Sequence, residues 1–176
     1  NLPGNFDEND VFELNDLAYL VTENNSSGSE FYILDVSNIY NPFQISSLNM
    51  GSSVTSVVVQ GDYAYLSTKR NTGELRVVDV SSPNSPFIAA TVNLSGNQNA
   101  YDLVVNETEL YILQDDDLHS FSITDPTDPE MLDKIDLDGD ANELYLSGTN
   151  VYVATEDDDK ELLLRGDNNK EDRREE

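Results

Sequence analysis

The chain has 176 residues, of which 35 are Asp or Glu and only 9 are Lys or Arg, so its formal net charge is -26. Nucleic acids and anionic membrane surfaces are bound by neutralising phosphates with Lys and Arg, so this charge argues against both partners. The chain has no cysteine, which excludes disulfides and thiolate metal sites. No apolar run approaches the roughly 18 residues of a membrane span, so we expect no membrane insertion within this segment.

Residues 1–10 are polar and acidic, and Pro3 and Gly4 lie among them. They are not a signal peptide, and we interpret them as a linker or a short outer strand. The chain does not begin with Met, so we expect a processed or excised piece of a longer product.

The first unit, residues 11–48, contains four short runs rich in apolar residues: VFEL, LAYLVTE, EFYILDVS and FQISSL. Clusters of Asn, Asp, Gly, Pro and Ser separate the runs, which predicts strands joined by tight turns. The second unit, residues 53–94, repeats the plan as TSVVVQ, YAYLST, ELRVVDVS and FIAATVNL.

The third unit, residues 101–137, is shorter and reads YDLVVN, LYILQ, LHSFSI and MLDKIDL. A fourth unit, residues 143–164, contains ELYLSGTN, VYVATE and ELLL, and no fourth strand is predicted after it. Residues 165–176 mix both charge signs without an apolar face, and we expect a charged tail that is disordered or a solvent-exposed helical end.

Two sets of landmarks keep one repeat period. Tyrosines recur after 46, 46 and 41 residues, at Tyr19, Tyr65, Tyr111 and Tyr152. Prolines recur after 44 and 43 residues, at Pro42, Pro86 and Pro129. Four strands in a period of about forty residues are typical of propeller blades. We therefore predict an all-β fold, a β-propeller-like array of four-stranded antiparallel blades with about four units, the last of them incomplete.

The landmarks have structural explanations. A blade lies between two others, so its inner strands need nearly continuous apolar runs. The repeated tyrosines would add buried aromatic area with a hydroxyl that reaches a polar partner. Asp79 can accept backbone N–H bonds from the turn that follows its strand, and Pro83 and Pro86 end the strand pairing there.

The second unit also carries a family resemblance. Its YAYLST run with Tyr65, followed by ELRVVDVSSPNSPF with Asp79, Pro83 and Pro86, resembles the LVIVD repeat. This repeat occurs in β-propellers of secreted and surface proteins of bacteria and archaea. The resemblance covers about four units, nearly the whole chain before Asp167. It implies a propeller fold and an extracellular or cell-surface location.

The other units depart from the LVIVD pattern in part. The first unit keeps Asp35 and Pro42 but has Ile39 in place of the first proline, and the third has Ser122 in place of the aspartate. The fourth lacks the aspartate-proline turn. Propellers typically close with about four to eight blades, and this chain has fewer than four complete ones. Either it is one part of a larger propeller, which we expect, or its short N-terminal segment completes the fourth blade.

The acidic run from Asp136 to Glu143 is the strongest candidate for a metal site. Asp136, Asp138 and Asp140 alternate like the first three ligands of a calcium loop, but Ala141 replaces the glycine that such a loop requires. We interpret the run as a plain acidic connector and leave calcium binding there open.

Other possible functional residues have simpler explanations. His119 is the single histidine, and we interpret it as a strand residue because neither a serine triad nor a zinc site has its remaining partners. The tripeptide Arg165-Gly166-Asp167 aligns with strand interior, and we interpret it as a chance match. Four N-x-S/T sequons, about the number expected by chance, begin at Asn24, Asn25, Asn93 and Asn106.

The sequence thus predicts no catalytic, cofactor-binding or metal-ligating residue. We expect a non-enzymatic secreted or cell-surface module for protein binding, adhesion or assembly, whose partners are other proteins or further copies of itself. One alternative is a structural subunit of an extracellular filament or cell envelope. A second is a calcium- or carboxylate-dependent propeller hydrolase or lyase.

Overall fold

The innermost two strands of every blade are joined by a two-residue turn whose first residue takes a left-handed backbone. That residue is Asn15, Gly61, Glu107 or Gly148, with φ between 46° and 61°. Turns of this kind match the right-handed twist of antiparallel strands. A hairpin whose turn begins with a left-handed residue therefore opens each blade.

The structure is a computed structural model that describes residues 7–24, 28–96, 98–137 and 139–155, and the backbone of 162–165. The first two blades contain β1 (Glu8–Leu14), β2 (Leu17–Thr22), β3 (Phe31–Asp35), β4 (Phe43–Leu48), β5 (Val54–Gln60), β6 (Tyr63–Thr68), β7 (Leu75–Asp79) and β8 (Phe87–Val92). The other two contain β9 (Ala100–Asn106), β10 (Glu109–Gln114), β11 (Asp117–Ser122), β12 (Glu130–Asp136), β13 (Ala141–Ser147), β14 (Asn150–Thr155) and β15 (Leu162–Arg165).

These strands form four antiparallel sheets in which spatial order follows chain order. Three sheets have four strands, and the last has three within the described residues. The innermost strands β1, β5, β9 and β13 lie side by side in that sequence. The predicted all-β array of antiparallel blades is confirmed.

The apolar core lies between the blades. Three clusters of buried residues fill the junctions between blades 1 and 2, 2 and 3, and 3 and 4. Strands β6 and β7 of the second blade are almost continuously buried because both faces of that sheet are covered. This two-sided burial explains the unbroken apolar runs in the sequence.

The main difference from the sequence-based expectation is at the first strand. β1 begins at Glu8, so residues 8–10 belong to an innermost strand instead of a linker or an outer strand. Their polar side chains concealed the strand, but two of them bond across the blade junction. Asn9 Nδ2, for example, donates to the carbonyl oxygen of Val54 at 2.7 Å. Within the described part of the chain, no helix is long and apolar enough to cross a membrane.

Gly73 holds the turn before β7 in a backbone conformation that other residues rarely adopt. Its φ is 149°, and a Cβ added there would lie 2.6 Å from Thr91 Cγ2. We expect Gly73→Ala to lower the free energy of unfolding by about 2–3 kcal/mol, because strain and steric overlap combine. Gly61→Ala is the control, since φ is 60° there but no atom lies within 4 Å of the new Cβ. Equal losses in urea denaturation would contradict a steric role for Thr91.

Candidate functional site

The first three repeated tyrosines pack against the blade that follows their own. Tyr19, Tyr65 and Tyr111 are 1–6% exposed, and they belong to the three successive core clusters at the blade junctions. Burial raises the pKa of the Tyr65 hydroxyl to about 12. The prediction that these tyrosines supply buried aromatic area is confirmed, and the Tyr111 hydroxyl donates to Glu109 Oε2 as expected.

The opposite side of each junction comes from an apolar residue on the innermost strand of the following blade. These residues are Val57 on β5, Leu103 on β9 and Leu144 on β13, and none is more than 5% exposed. Each belongs to the same cluster as the tyrosine of the preceding blade. A junction therefore has a tyrosine side and an aliphatic side.

Carboxylates join neighbouring innermost strands at two of the three junctions. Asp10 Oδ2 accepts from the backbone N–H of Val57 at 2.9 Å, and Asp102 Oδ2 accepts from that of Leu144 at 2.7 Å. Burial raises the pKa of Asp102, although bonds from Leu144, Ser56 and Leu103 oppose this shift. These residues were missed from the sequence, but their spacing offered a signal. Positions 10, 56 and 102 recur every 46 residues, and the fourth equivalent is Glu143.

The two carboxylates lie at the centre of the array, where a propeller enzyme could place its acids. Their other oxygens are also engaged, because Asp10 Oδ1 accepts from Val11 N and Asp102 Oδ1 from Leu103 N, both at 2.8 Å. A carboxylate held by two backbone amides is positioned to join strands. Within the described ranges, no group of three His, Asp or Glu side chains has a geometry that fits a metal ion.

Blade 4 repeats the tyrosine side of a junction with nothing packed on it among the described residues. We call Glu143, Tyr145 and Tyr152 its open tyrosine face. Tyr145 is 67% exposed, whereas the equivalent Phe12, Val58 and Val104 are partly buried against the next blade. Tyr152, the fourth repeated tyrosine, contacts Tyr145 with ring centroids 6.2 Å apart.

Blade 1 repeats the aliphatic side in the same way. We call Val11, Ala18, Leu20 and Leu34 its open valine face. Val11 is 58% exposed, although the equivalent Val57 is only 2% exposed. Leu20 and Leu34 are half-buried, while the equivalent Leu66 and Val78 are fully buried. Both ends of the described array thus present apolar surface that is covered at every internal junction.

A second set of acids, each directly before the third strand of its blade, bonds to the connector that leads into the next blade. Glu30 Oε2 accepts from the backbone N–H groups of Met50 and Gly51 at 2.7 and 3.1 Å. Glu74 Oε2 accepts from the backbone N–H of Leu94 at 2.8 Å. Both side chains are almost completely buried, so they position the connectors that lead into β5 and β9.

The turn residues predicted from the sequence have the expected roles. Asp79 Oδ1 accepts from the backbone N–H and the hydroxyl of Ser81, at 2.9 and 2.6 Å. Asp35 bonds to Ser37 in the same manner, and these bonds lower its pKa. Ser122, which replaces this aspartate in the third blade, makes longer contacts of the same kind, since its Oγ lies 3.5 Å from Thr124 N and 3.1 Å from Thr124 Oγ1. These residues shape turns.

His119 is fully buried in β11, and its Nε2 lies 3.0 Å from Gln114 Oε1. Burial lowers its pKa, and Asp117, Lys134 and Glu74 are the charged groups that act on it. It is therefore a strand residue, as predicted from the sequence, and the structure adds that it belongs to the buried interior.

A buried neutral histidine should make stability depend on pH. Because the pKa of folded His119 lies below the unfolded value of about 6.5, its contribution is present above that pH and is lost as the pH falls. We expect acidification from pH 7.5 to 5.5 to destabilise the protein by up to about 1.4 kcal/mol through this group. His119→Gln should remove that part of the pH dependence in thermal denaturation. If the variant and the wild-type chain showed the same dependence of thermal stability on pH, the predicted role of His119 would be wrong.

The structure describes only some of the remaining candidate residues from the sequence. Asp136 is the last residue of β12 and Asp140 lies exposed in the following connector, while Asp138 is outside the described residues. Arg165 ends β15, and Gly166 and Asp167 are not described. Residues 166–176 of the charged tail are likewise outside the described ranges.

The four sequons are distributed along the chain. Asn24 and Asn93 are exposed, Asn106 is half-buried at the end of β9, and Asn25 lies outside the described residues.

Sequence comparison identifies the second blade. Residues 51–94, which span its four strands, match the LVIVD repeat. The chain contains an LVIVD repeat. An uncharacterised protein of Methanocaldococcus jannaschii is 28% identical over 113 residues, a match that covers 62% of this chain and 18% of that protein. The chain thus spans less than a fifth of this curated relative.

Structural comparison supports the propeller fold around that LVIVD repeat. The periplasmic gluconolactonase PpgL of Pseudomonas aeruginosa has a TM-score of 0.74 at 16% identity, with 92% of this chain and 50% of that chain covered. The computationally designed Ika4 protein has a TM-score of 0.72 at 11% identity, with 94% and 95% covered. Identities this low establish the fold alone, and the four sheets are blades of a β-propeller-like array.

Proposed function

We propose that this chain is a non-enzymatic protein-binding module of a secreted or cell-surface protein. The observation that carries the proposal is the open tyrosine face of blade 4. Its three internal equivalents are all covered by a neighbouring blade, whereas Tyr145 is 67% exposed. Exposed aromatic side chains on a rigid sheet are typical of protein interfaces, where tyrosine is enriched.

Catalysis by the central carboxylates is the less favoured function. PpgL is named as a gluconolactonase, so a carboxylate-dependent hydrolase is the alternative to test. Against it, Asp10 and Asp102 use both of their oxygens to hold backbone amides. We expect the purified chain to hydrolyse aldonolactones no faster than buffer does. Hydrolysis that is lost in Asp102→Asn, with the fold intact, would favour the enzyme.

Two sequence properties support an extracellular location in this proposal. The chain resembles LVIVD-repeat propellers, which the resemblance places in secreted and surface proteins. Its net charge of -26 favours solubility and disfavours contact with anionic surfaces. A filament or envelope subunit would be a special case of the same binding role. Fractionation of the producing cells should find the chain in the secreted or surface fraction, and a cytosolic pool alone would contradict this.

Photo-crosslinking in the producing cells tests the binding role. A benzophenone amino acid replaces Tyr145, and a control chain carries it at Phe87, which is 55% exposed on the outermost strand of blade 2. We expect position 145 to form a crosslinked species of defined mass whose partner peptides can be sequenced. The proposal is wrong if position 145 gives no more product than position 87.

A further inference from the structure

The open faces of blades 4 and 1 are the two halves of one kind of junction. We propose that a second copy of this chain covers the open tyrosine face with its own open valine face, head to tail. This inference rests on the proposed binding role of that face and names the partner. Its basis is continuity, because the chain itself makes the same contact at three internal junctions.

The tyrosine side of each internal junction combines a polar residue, an apolar or aromatic residue and the repeated tyrosine. In blade 1 these are Asp10, Phe12 and Tyr19. The open tyrosine face has Glu143, Tyr145 and Tyr152 at the equivalent positions. A partner surface made of polar or charged side chains would lose its hydrogen bonds to water when buried against these aromatic rings, at a cost in free energy. The partner surface must therefore be apolar.

The valine side of each junction supplies that apolar surface. Val57 and Leu66 fill it at the first junction, and both are at most 2% exposed. Val11 and Leu20 of the open valine face occupy the equivalent positions in blade 1. Val11 on β1 pairs with Leu20 on β2, just as Val57 on β5 pairs with Leu66 on β6. The surface that fits the tyrosine face is therefore already present on every copy of the chain.

One rim contact of the first internal junction has no counterpart in the described part of blade 4. The hydroxyl of Ser46 on β4 donates to the carbonyl oxygen of Pro83, in the turn before β8 of the next blade, at 2.6 Å. The equivalent turn of blade 1 contains Ile39 and Tyr40, which are 76% and 92% exposed. Ser46 lies on the fourth strand of its blade, whereas blade 4 has three strands within the described residues, so the described part of a docked copy would leave this turn exposed.

A head-to-tail contact joins two different surfaces, so it either closes into a ring or continues as a filament. Closure by two copies is favoured by the structural comparison, because this chain matches about half of the PpgL chain, with 50% of it covered. Two arrays in succession would therefore have about the length of that single propeller-like chain.

Size and charge predict a weak contact. Strands about 4.8 Å apart and six residues long, at about 3.3 Å per residue, give a blade face of only about 300–400 Å². This is less than the roughly 800 Å² per partner of a standard interface. Two copies also repel each other, since each has a formal charge of -26. Association should thus appear at high protein concentration and strengthen as salt screens the repulsion.

Sedimentation velocity of the intact chain over a concentration series, at low and high salt, tests the proposal. We expect a dimer, or longer head-to-tail oligomers, that strengthens with salt. Tyr145→Glu and Val11→Lys should each weaken association at least tenfold, while Phe87→Glu should leave it unchanged. Val11→Lys is informative because it reduces the net negative charge and would otherwise favour association. Thermal denaturation of each variant checks that the fold is intact.

Mixing the two disabled variants distinguishes head-to-tail from face-to-face contact. The Val11→Lys chain keeps an intact tyrosine face, and the Tyr145→Glu chain keeps an intact valine face. Their mixture should therefore form a heterodimer that neither variant forms alone. The proposal is overturned if the wild-type chain stays monomeric at every concentration and salt, or if mixing restores nothing. Crosslinks in cells from position 145 to a different protein would overturn it too, yet support the binding role.

Discussion

Replacing Tyr65 with alanine is expected to lower the free energy of unfolding by about 3–5 kcal/mol, as for other large aromatic residues removed from a core. The side chain is 1% exposed and packs between blades 2 and 3, so its loss leaves a cavity that the two sheets cannot easily close. Urea denaturation followed by circular dichroism would measure the change.

The repeat provides a matched control for this prediction. Tyr152→Ala removes the same side chain from the equivalent position of blade 4, where no following blade covers it among the described residues. Under dilute, monomeric conditions its effect should be about 1 kcal/mol or less. Equal losses in the free energy of unfolding at the two positions would mean that packing against the next blade is not the source of the stabilisation by the tyrosine.

Glu74→Ala is expected to destabilise the protein by about 3 kcal/mol, because bonds to a charged group are strong and buried N–H groups would lose their acceptor. The carboxylate accepts from Leu94 N at 2.8 Å and from Gly73 N at 3.2 Å, and the residue is fully buried. Loss of this acceptor should also loosen the connector into β9, which hydrogen exchange at Leu94 would reveal.

Two further variants test whether hydrogen bonding explains the effect of Glu74. Glu74→Gln keeps one carbonyl oxygen as an acceptor and should cost about 1 kcal/mol. Glu130→Ala removes an exposed carboxylate from the start of β12 and should change stability by no more than about 0.5 kcal/mol. If Glu74→Gln were as damaging as Glu74→Ala, charge instead of acceptor geometry would be the main factor.

The period of the landmarks was enough to predict the blade architecture. Tyr65 and Asp79 mark positions where a buried ring and a turn acceptor are required by the local geometry of every blade. Such requirements repeat in the sequence because the blades repeat in space. The apolar runs between the landmarks predicted most strands to within a few residues.

The polar contacts at the junctions could not be predicted in the same way. Asp10, Asp102 and Glu74 are acids in a chain with 35 of them, so neither residue type nor charge distinguished them from the surface. Their roles depend on which backbone amide the neighbouring blade brings close. For the same reason β1 was expected to begin at Val11, although the strand includes Glu8 and Asp10.

The open faces also follow from spatial neighbours more than from residue type. Tyr152 resembles Tyr65 in sequence context, and both were predicted to be buried aromatic landmarks. The structure covers Tyr65 with blade 3 but leaves Tyr152 half-buried beside the exposed Tyr145. The same residue type is therefore a core residue in an internal blade, as at Tyr65, and a candidate binding residue in the last described blade, as at Tyr152.

The most direct test of this account is oxidative footprinting of the tyrosines, read by mass spectrometry, in dilute monomeric protein. Tyr40, which is 92% exposed, serves as the internal reference for full accessibility. The account predicts that Tyr145 is modified at a rate close to that of Tyr40, that Tyr152 is intermediate, and that Tyr65 is strongly protected. Protection of Tyr145 and Tyr152 equal to that of Tyr65 in the monomer would contradict it.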